Sequence, residues 1–433
     1  AWTPDDKTEI YIAPRYYREK ISNNVLSDFI PGVGELKKKK NEDASRFGTT
    51  LGVERTLDNG GRLRGWLLRE NWRDVTQQDV ITTPEIELQR TAEIDTYRAE
   101  LQWDQPWGEN HIFTSGLLLG REVMDQYQGT GQIRAPEVDG EEKRNIEAYL
   151  QDDIFVGEQW EIVPGVRVQD DSNFGFYAAP KINAMYTPDW FADVITNVRM
   201  GIGRGYRVPN LKERFFIFDH SQLASDPYML LGNNALQPES SDSYQLGIEF
   251  ARPGEFHADI TLFHNRIKNL INRRINPDKS TPDLRIFDYQ NFARAITQGI
   301  ETTAKYRFSP SFSVNGGITY LEAEDLKTNK PLTGLPEWLV KLGVDYVYKP
   351  WGTSLSLRGI YQSEEWVEDY SDVLVQSPAW TTWDIKFNQP LVEGLTLFAG
   401  IDNITNEYRN PNDDNDARPY KPRLLYLGLR IEQ

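Results

Sequence analysis

The sequence predicts an all-β protein, a transmembrane antiparallel β-barrel. Three observations carry that fold class. Apolar and polar residues alternate with period two through most of the chain, as in strands with one apolar face. The connections between these segments come in two lengths that alternate, as in barrels with short turns at one rim and long loops at the other. The composition is polar, with mean hydropathy −0.60 and 39% hydrophobic residues, yet 12% of residues are aromatic. Only alternate residues of a barrel face lipid, and aromatic girdles mark its two interfaces.

The alternation recurs in chain order. Phe47, Thr49, Leu51 and Val53 oppose Gly48, Thr50, Gly52 and Glu54. Tyr244, Leu246, Ile248 and Phe250 oppose Gln245, Gly247 and Glu249. Val340, Leu342, Val344 and Tyr346 oppose Lys341, Gly343 and Asp345, and Trp383, Ile385 and Phe387 oppose Thr382, Asp384 and Lys386. Leu425, Leu427, Leu429 and Ile431 line one face of the last strand. No comparable stretch of helical period interrupts the series. In a membrane barrel the apolar face meets lipid, so Lys341, Asp345, Asp384 and Lys386 are predicted to turn into the lumen. A soluble all-β enzyme or carbohydrate-binding protein would require the reverse.

Short turns fall at Asp58–Gly61, Trp107–Asn110, Gly157–Gln159, Arg252–Glu255, Lys349–Gly352 and Leu391–Gly394, among others. Between them lie Ser22–Asp43, Thr76–Glu93, Tyr127–Glu142, Pro209–Ser241, Asn276–Asp283, Asp325–Leu335, Glu365–Ser377 and Arg409–Lys421. Only Asp170–Asn173 breaks the length rule. Counting between connections gives about eighteen strands, an allowed even number for a bacterial barrel. The last strand leaves a long loop, which puts the short turns on the periplasmic side and the long loops outside. A stub at Ala1–Trp2 precedes a first turn at Thr3–Lys7, so the chain is expected to begin in mid-barrel.

Several classes are excluded or disfavoured. No run of 18 apolar residues offers a transmembrane helix. A formal charge of −17 disfavours nucleic acid as a partner. Cysteine is absent, which removes disulfides, thiol catalysis and thiolate zinc sites. No constellation for covalent chemistry is visible, and Gly201–Gly205 (GIGRG) lies within a strand without the following helix that nucleotide binding needs. The protein is not expected to be an enzyme.

Five segments, in order, resemble the barrel of a TonB-dependent outer-membrane transporter. They are GYRVPNLKE at Gly205–Glu213, NNALQPES at Asn233–Ser240, YQNFARAITQGIETTAKY at Tyr289–Tyr306, GIDNITNEY at Gly400–Tyr408 and YLGLRIE at Tyr426–Glu432. The resemblance spans roughly residues 193–433, while the first half matches in pattern only. It implies a barrel of 22-stranded type in the bacterial outer membrane, with an N-terminal plug inside. Residues 1–433 then correspond to the C-terminal part of such a barrel, with the plug and first strands apparently absent from this chain. Implied partners are outer-membrane lipid and lipopolysaccharide, the TonB complex through the missing plug, and a surface lipoprotein over the vestibule. The implied function is uptake of an iron complex, siderophore or haem, held by the long external loops. Cobalamin uptake and a passive porin-like or adhesion barrel are the alternatives.

No intrinsic cofactor is implied; haem or a ferric siderophore would be the transported ligand. The substrate-binding candidates lie in three external loops. His220 sits between the YRVP and NNAL segments, where haem receptors of the family carry an axial ligand, and Phe218, Tyr228 and Met229 are near it in sequence. Arg273 and Arg274, with Arg285, flank a second loop and suit an anionic ferric siderophore; the competing reading pairs them with Asp278, Asp283 and Asp288. Trp366 and Tyr370 sit in a third loop as stacking or interfacial aromatics. Asp413, Asp414 and Asp416 offer oxygen donors without EF-hand spacing, most simply a solvated acidic loop. Lys37–Lys40 are expected in the first external loop, solvated or facing lipopolysaccharide phosphates.

Overall fold

The computed structural model describes residues 1–26, 37–81, 88–130, 133–221, 227–368, 373–410, 413, 415–419 and 421–432. Tyr370 and Asp414 therefore lie outside the described residues. The first strands are β1 (Trp2–Asp5), β2 (Thr8–Leu26), β3 (Lys37–Thr56), β4 (Arg62–Val80), β5 (Leu88–Trp107), β6 (His111–Thr130) and β7 (Ile133–Val156). Next come β8 (Trp160–Asp171), β9 (Gly175–Tyr186), β10 (Ile195–Arg207), the helix α1 (Leu211–Phe215), β11 (Ile217–His220) and β12 (Tyr228–Leu231). After them run β13 (Glu239–Arg252), β14 (Phe256–Ile275), β15 (Arg285–Ser309), β16 (Phe312–Asp325), β17 (Lys330–Pro331) and β18 (Trp338–Tyr348). The chain closes with β19 (Thr353–Gln362), β20 (Glu365–Glu368), β21 (Leu374–Ser377), β22 (Trp380–Val392), β23 (Leu395–Asp402) and β24 (Leu424–Ile431).

Setting aside β1 and the short strands β11, β12, β17, β20 and β21, eighteen strands form one antiparallel wall in which each long strand pairs with the next. Among the described residues β24 pairs only with β23, and β2 only with β1 and β3, so the two ends of the wall do not pair with each other. Many of the strands are far longer than a crossing requires. β6 has 20 residues and β14 has 20, against the roughly 9–11 that a tilted strand needs. The surplus rises above the bilayer as a second storey of sheet.

That surplus corrects one expectation. Lys37–Lys40 are not in a loop but form the start of β3, paired with Leu26–Asn23 on β2 and, from Lys38, with Val80–Gln78 on β4. Above the membrane both faces of a strand meet water, so period-two patterning vanishes while the backbone ladder continues. Polar sequence of this kind reads as loop and folds as strand.

Register fixes which face is which, because residues directly opposite on paired strands share a face. Asp104, Thr114, Gln151, Gly165, Lys181, Gly203, Ser243, Asn265 and Thr297 lie opposite one another in turn from β5 to β15. On that same face, Asn197, Glu249, Asp259, Thr303, Gly317 and Lys341 continue to β18. Asp345 accepts bonds from Ser356 and Arg358 there, and Asp384 and Lys386 face Arg358 and Ser356 across β19–β22. The predicted polar set thus occupies one face. Leu67, Leu101, Leu117, Leu150, Ile202, Leu246 and Leu427 are exposed on the other.

The polar face is also the one over which a loop folds. The segment after β10 reaches back across β9 and β8, and α1 packs on β6 and β7, with Leu211 buried against Met124 and Val138. Such a crossing follows the inside of a curved wall, so the polar face lines the lumen and the apolar face meets lipid.

Candidate ligand-binding vestibule

The loop between β10 and β13 is built by a clasp at its feet. Arg207 donates through Nε and Nη2 to the Glu239 carboxylate, both at 2.7 Å, and through Nη1 to Glu213 at 3.0 and 2.9 Å. The two segments that carried the family resemblance are therefore bound to each other, Arg207 and Glu213 from one and Glu239 from the other. Asn210 caps α1 in a capping box, its side chain accepting from the Glu213 N–H while Glu213 accepts from the Asn210 N–H. The third segment supplies the floor. Asn233 Nδ2 donates to the Tyr289 carbonyl, and Asn291 exchanges hydrogen bonds with Gln237. Gly232 lies so close to the Arg214 and Phe215 backbone that a Cβ would sit 2.5 Å from it, so only glycine fits there.

From this base a hairpin stands into the vestibule. β11 pairs antiparallel with β12, His220 lying opposite Tyr228, and β12 adds parallel to the upper end of β15 at Arg285–Asp288. The rings collect on one side. Phe216 stacks on Phe218 at 6.0 Å, Phe218 on His220 at 5.7 Å, and His220 meets Tyr228 edge-on at 5.1 Å. Tyr228 in turn meets Phe287 at 90° and 6.2 Å. Three guanidiniums border the cluster. Arg90 of β5 lies 4.8 Å from the Phe218 centroid, and Arg273 and Arg285 each lie 5.9 Å from that of Phe287.

The structure thus brings Phe218, His220, Tyr228 and Arg273 together. Met229, next to Tyr228 on a strand, points to the opposite side of the hairpin. Arg274 lies opposite Asp288 in the ladder. Asp288 is held by Asn276, Lys279 and Gln290, while Arg273 and Arg285 lie against the Phe287 ring. Trp366 stands apart, in the β20–β21 hairpin, where it lines a separate cavity of 610 Å³ with Tyr361, Glu322, Glu324, Glu337 and Glu364. Burial raises the neighbouring Glu365 carboxyl above its ordinary range.

His220 differs from the other histidines. His111 bonds Asp152, His257 bonds Glu249 and His264 bonds Gln298, at 2.8, 2.9 and 2.9 Å, whereas His220 Nδ1 is buried with no hydrogen-bond partner among the described residues. Asp219 bonds the Ser221 N–H instead, and that contact with Ser221 holds its carboxyl below the usual range. In the last loop both Asp416 oxygens accept from Arg418 and one also from the Asn410 N–H, so this carboxylate is spent on the loop. No grouping of acidic or histidine side chains able to hold a metal ion occurs among the described residues.

Sequence reading missed the wall's share of the site. Arg90 binds the Glu137 carboxylate with Nε and Nη2 at 2.8 and 2.9 Å, and Glu137 also accepts from the buried Gln126. Lys212 of α1 lies in this neighbourhood, where burial first and then the Arg90 charge lower its ammonium below the usual range. Arg90, Gln126 and Glu137 lie 128, 92 and 81 positions before Phe218, and nothing local in the sequence links them to the loop they support.

Residues 4–404 match the family model described as TonB dependent receptor-like, beta-barrel. The chain is 26% identical over 339 residues to the ferric enterobactin receptor PirA of Pseudomonas aeruginosa, covering 73% of this chain and 44% of that protein. It is 24% identical over 383 residues to an iron-regulated outer membrane virulence protein of Vibrio cholerae, covering 83% and 55%, and 23% identical to the ferrienterobactin receptor of Escherichia coli over 56% and 34%. The chain thus spans about half or less of the length of these relatives. Among solved structures, the siderophore receptor PirA from Acinetobacter baumannii superposes with a TM-score of 0.71 at 14% identity, over 99% of this chain and 69% of that one. The copper transporter OprC gives 0.75 at 11% identity, over 99% and 70%. At these identities the likeness is one of fold.

Proposed function

The chain belongs to the TonB dependent receptor-like β-barrel family, and on that premise we propose that it forms the wall and ligand vestibule of an outer-membrane uptake receptor for an anionic ferric siderophore. The observation that carries this reading is the ring cluster of Phe218, His220, Tyr228 and Phe287 bordered by Arg90, Arg273 and Arg285. Guanidiniums suit the charge of a ferric complex, and flat rings suit an aromatic chelator. The relatives named as ferric enterobactin and ferrienterobactin receptors support the same substrate class. Binding needs no covalent step; in the whole receptor, transport would draw on the TonB complex through a plug.

A second reading has one specific observation behind it. The Nδ1 of His220 is buried between two rings with no hydrogen-bond partner among the described residues, which leaves the imidazole free to serve as an axial ligand to haem iron. Titration of the full-length receptor separates the two. Quenching of tryptophan emission by ferric enterobactin, with affinity lost in Arg273→Gln, supports the siderophore reading. A Soret shift with haem that disappears in His220→Ala supports the other. Binding of neither, with a large ungated current in planar bilayers, would leave a passive barrel.

A further inference from the structure

On the lumen face of β4, β5 and β6, Asp74 lies opposite Ala92, and Ala92 lies opposite Gln126. Adjacent strands are roughly 4.8 Å apart, so the two polar side chains start about 10 Å from each other with only a methyl group between them. The concave side of the wall tilts their tips together. Gln126 is 1% exposed and Ala92 5%. Asp74 Oδ1 and Gln126 Oε1 are both buried, and neither has a hydrogen-bond partner among the described residues. Two acceptors therefore face each other with no donor between them, and a buried acceptor left unpaired is costly.

The donors nearby are engaged elsewhere. Gln126 Nε2 bonds Glu137 at 2.6 Å, Arg90 bonds Glu137 and Gln128, and Lys40 pairs with Glu42 at 2.6 Å. The helix α1 covers this part of the wall, its Leu211 packed on Met124 and Val138. The ammonium of the next residue, Lys212, feels the charges of Arg90, Glu137 and Asp74. The charged groups around Asp74 are thus Lys40 and Glu42 from β3, Arg90 from β5, Glu137 from β7 and Lys212 from α1. Burial first, and then the Glu42 charge, raise the Asp74 carboxyl above its ordinary 3.8. Lifting α1 returns that carboxyl to water and to its ordinary range.

We propose that Asp74 is a positioning residue for the vestibule loop: it takes up a proton from the medium as α1 closes over it, bonds Gln126 through that proton, and fastens the loop to the wall more firmly in acid. A carboxylic acid donates one hydrogen bond where a carboxylate donates none, and one donor is what the pair of oxygens lacks. A carboxyl whose pKa is higher in the docked state penalises docking while it is ionised. The penalty is full above the raised value, shrinks as pH falls through it and is gone below 3.8. Because β11 follows α1 directly, the rings of Phe218 and His220 share this dependence. The latch is independent of which ligand is carried.

The test is hydrogen exchange of the full-length receptor in detergent without ligand, at about pH 7 and about pH 4.5, with protection corrected for the intrinsic exchange rate at each pH. Protection of residues 209–221 rises about threefold to tenfold in acid, the range that one to two pH units of coupling give, while β14 stays constant. Asp74→Asn, which carries a permanent amide donor and no charge, holds the loop at the acid level of protection at both pH values. Lys212→Gln removes a cation that favours the ionised carboxylate, and moves the rise to higher pH. Native protection that is flat or falls in acid overturns the proposal, and this reading needs no variant to fold. A rise retained in full by Asp74→Asn, or unmoved by Lys212→Gln, assigns the titration to another group and overturns it as well.

Discussion

The Arg90 guanidinium lies 4.8 Å from the centre of the Phe218 ring while its Nε and Nη2 grip the Glu137 carboxylate at 2.8 and 2.9 Å. A wall residue of β5 thereby ties the vestibule hairpin to a carboxylate whose side chain is only 3% exposed. The aromatic cluster keeps its place over the lumen through this contact and through the Arg207 clasp at its feet.

Removing the fork leaves Glu137 buried without its cation. Arg90→Ala is expected to destabilise the protein by about 3–5 kcal/mol, the cost of breaking a buried pair from one side. Arg90→Lys, which keeps the charge, should lose less. Denaturant unfolding of the refolded receptor checks this; an unchanged midpoint for Arg90→Ala would rule out a role in anchoring the hairpin.

Leu211 is the apolar anchor of α1, 1% exposed against Met124 and Val138. Truncation to alanine should cost about 2–5 kcal/mol where the site cannot collapse. Because the contact joins a loop to the wall, the loss should be local. Hydrogen exchange should speed up in residues 209–221 and stay slow in β14; uniform acceleration would contradict that picture.

Ligand binding should depend on Arg273. Arg273→Gln is expected to weaken an anionic ferric complex by about tenfold, and the affinity of the native protein should fall as salt screens the vestibule. Equilibrium titration at two ionic strengths reads both effects. Affinity indifferent to both salt and Arg273 would count against electrostatic capture at this site.

The last external loop carries an acid-sensitive contact. Arg418, with help from the Asn410 and Arg418 N–H groups, holds the Asp416 carboxyl at about 2, below its ordinary 3.8. A folded value below the unfolded one stabilises the fold when the group is ionised. The contribution is complete above pH 3.8 and is lost as pH falls through about 2. Asp416→Asn should remove this part of the acid dependence while leaving the rest of the titration in place, read from loop exchange rates between those limits.

Much of this was open to reading along the chain. Alternation in Val340–Tyr346 and Trp383–Phe387 is a local signal, because successive side chains of a strand point to opposite faces. It was enough to place Lys341, Asp345, Asp384 and Lys386 in the lumen. The turn residues gave the strand order and the eighteen-strand count. Lys37–Lys40 escaped this reading, since a strand with water on both faces loses the very pattern that identifies it.

The vestibule was legible only in part. Phe218, His220 and Tyr228 are near in sequence and do meet, while Met229 turns away because a hairpin sorts neighbours to opposite faces. The sequence alone determined the all-β class, the polar and apolar faces, and which loop carries the aromatic residues, since each depends on neighbours a few positions apart. Only the tertiary structure decided that Arg90 and Glu137 anchor that loop, that Arg207 closes it on Glu213 and Glu239, and that Asp74 faces Gln126 across Ala92. Those pairings depend on register between strands and on a loop folded across the lumen, and such distances are set by the register and curvature of the sheet rather than by spacing along the chain.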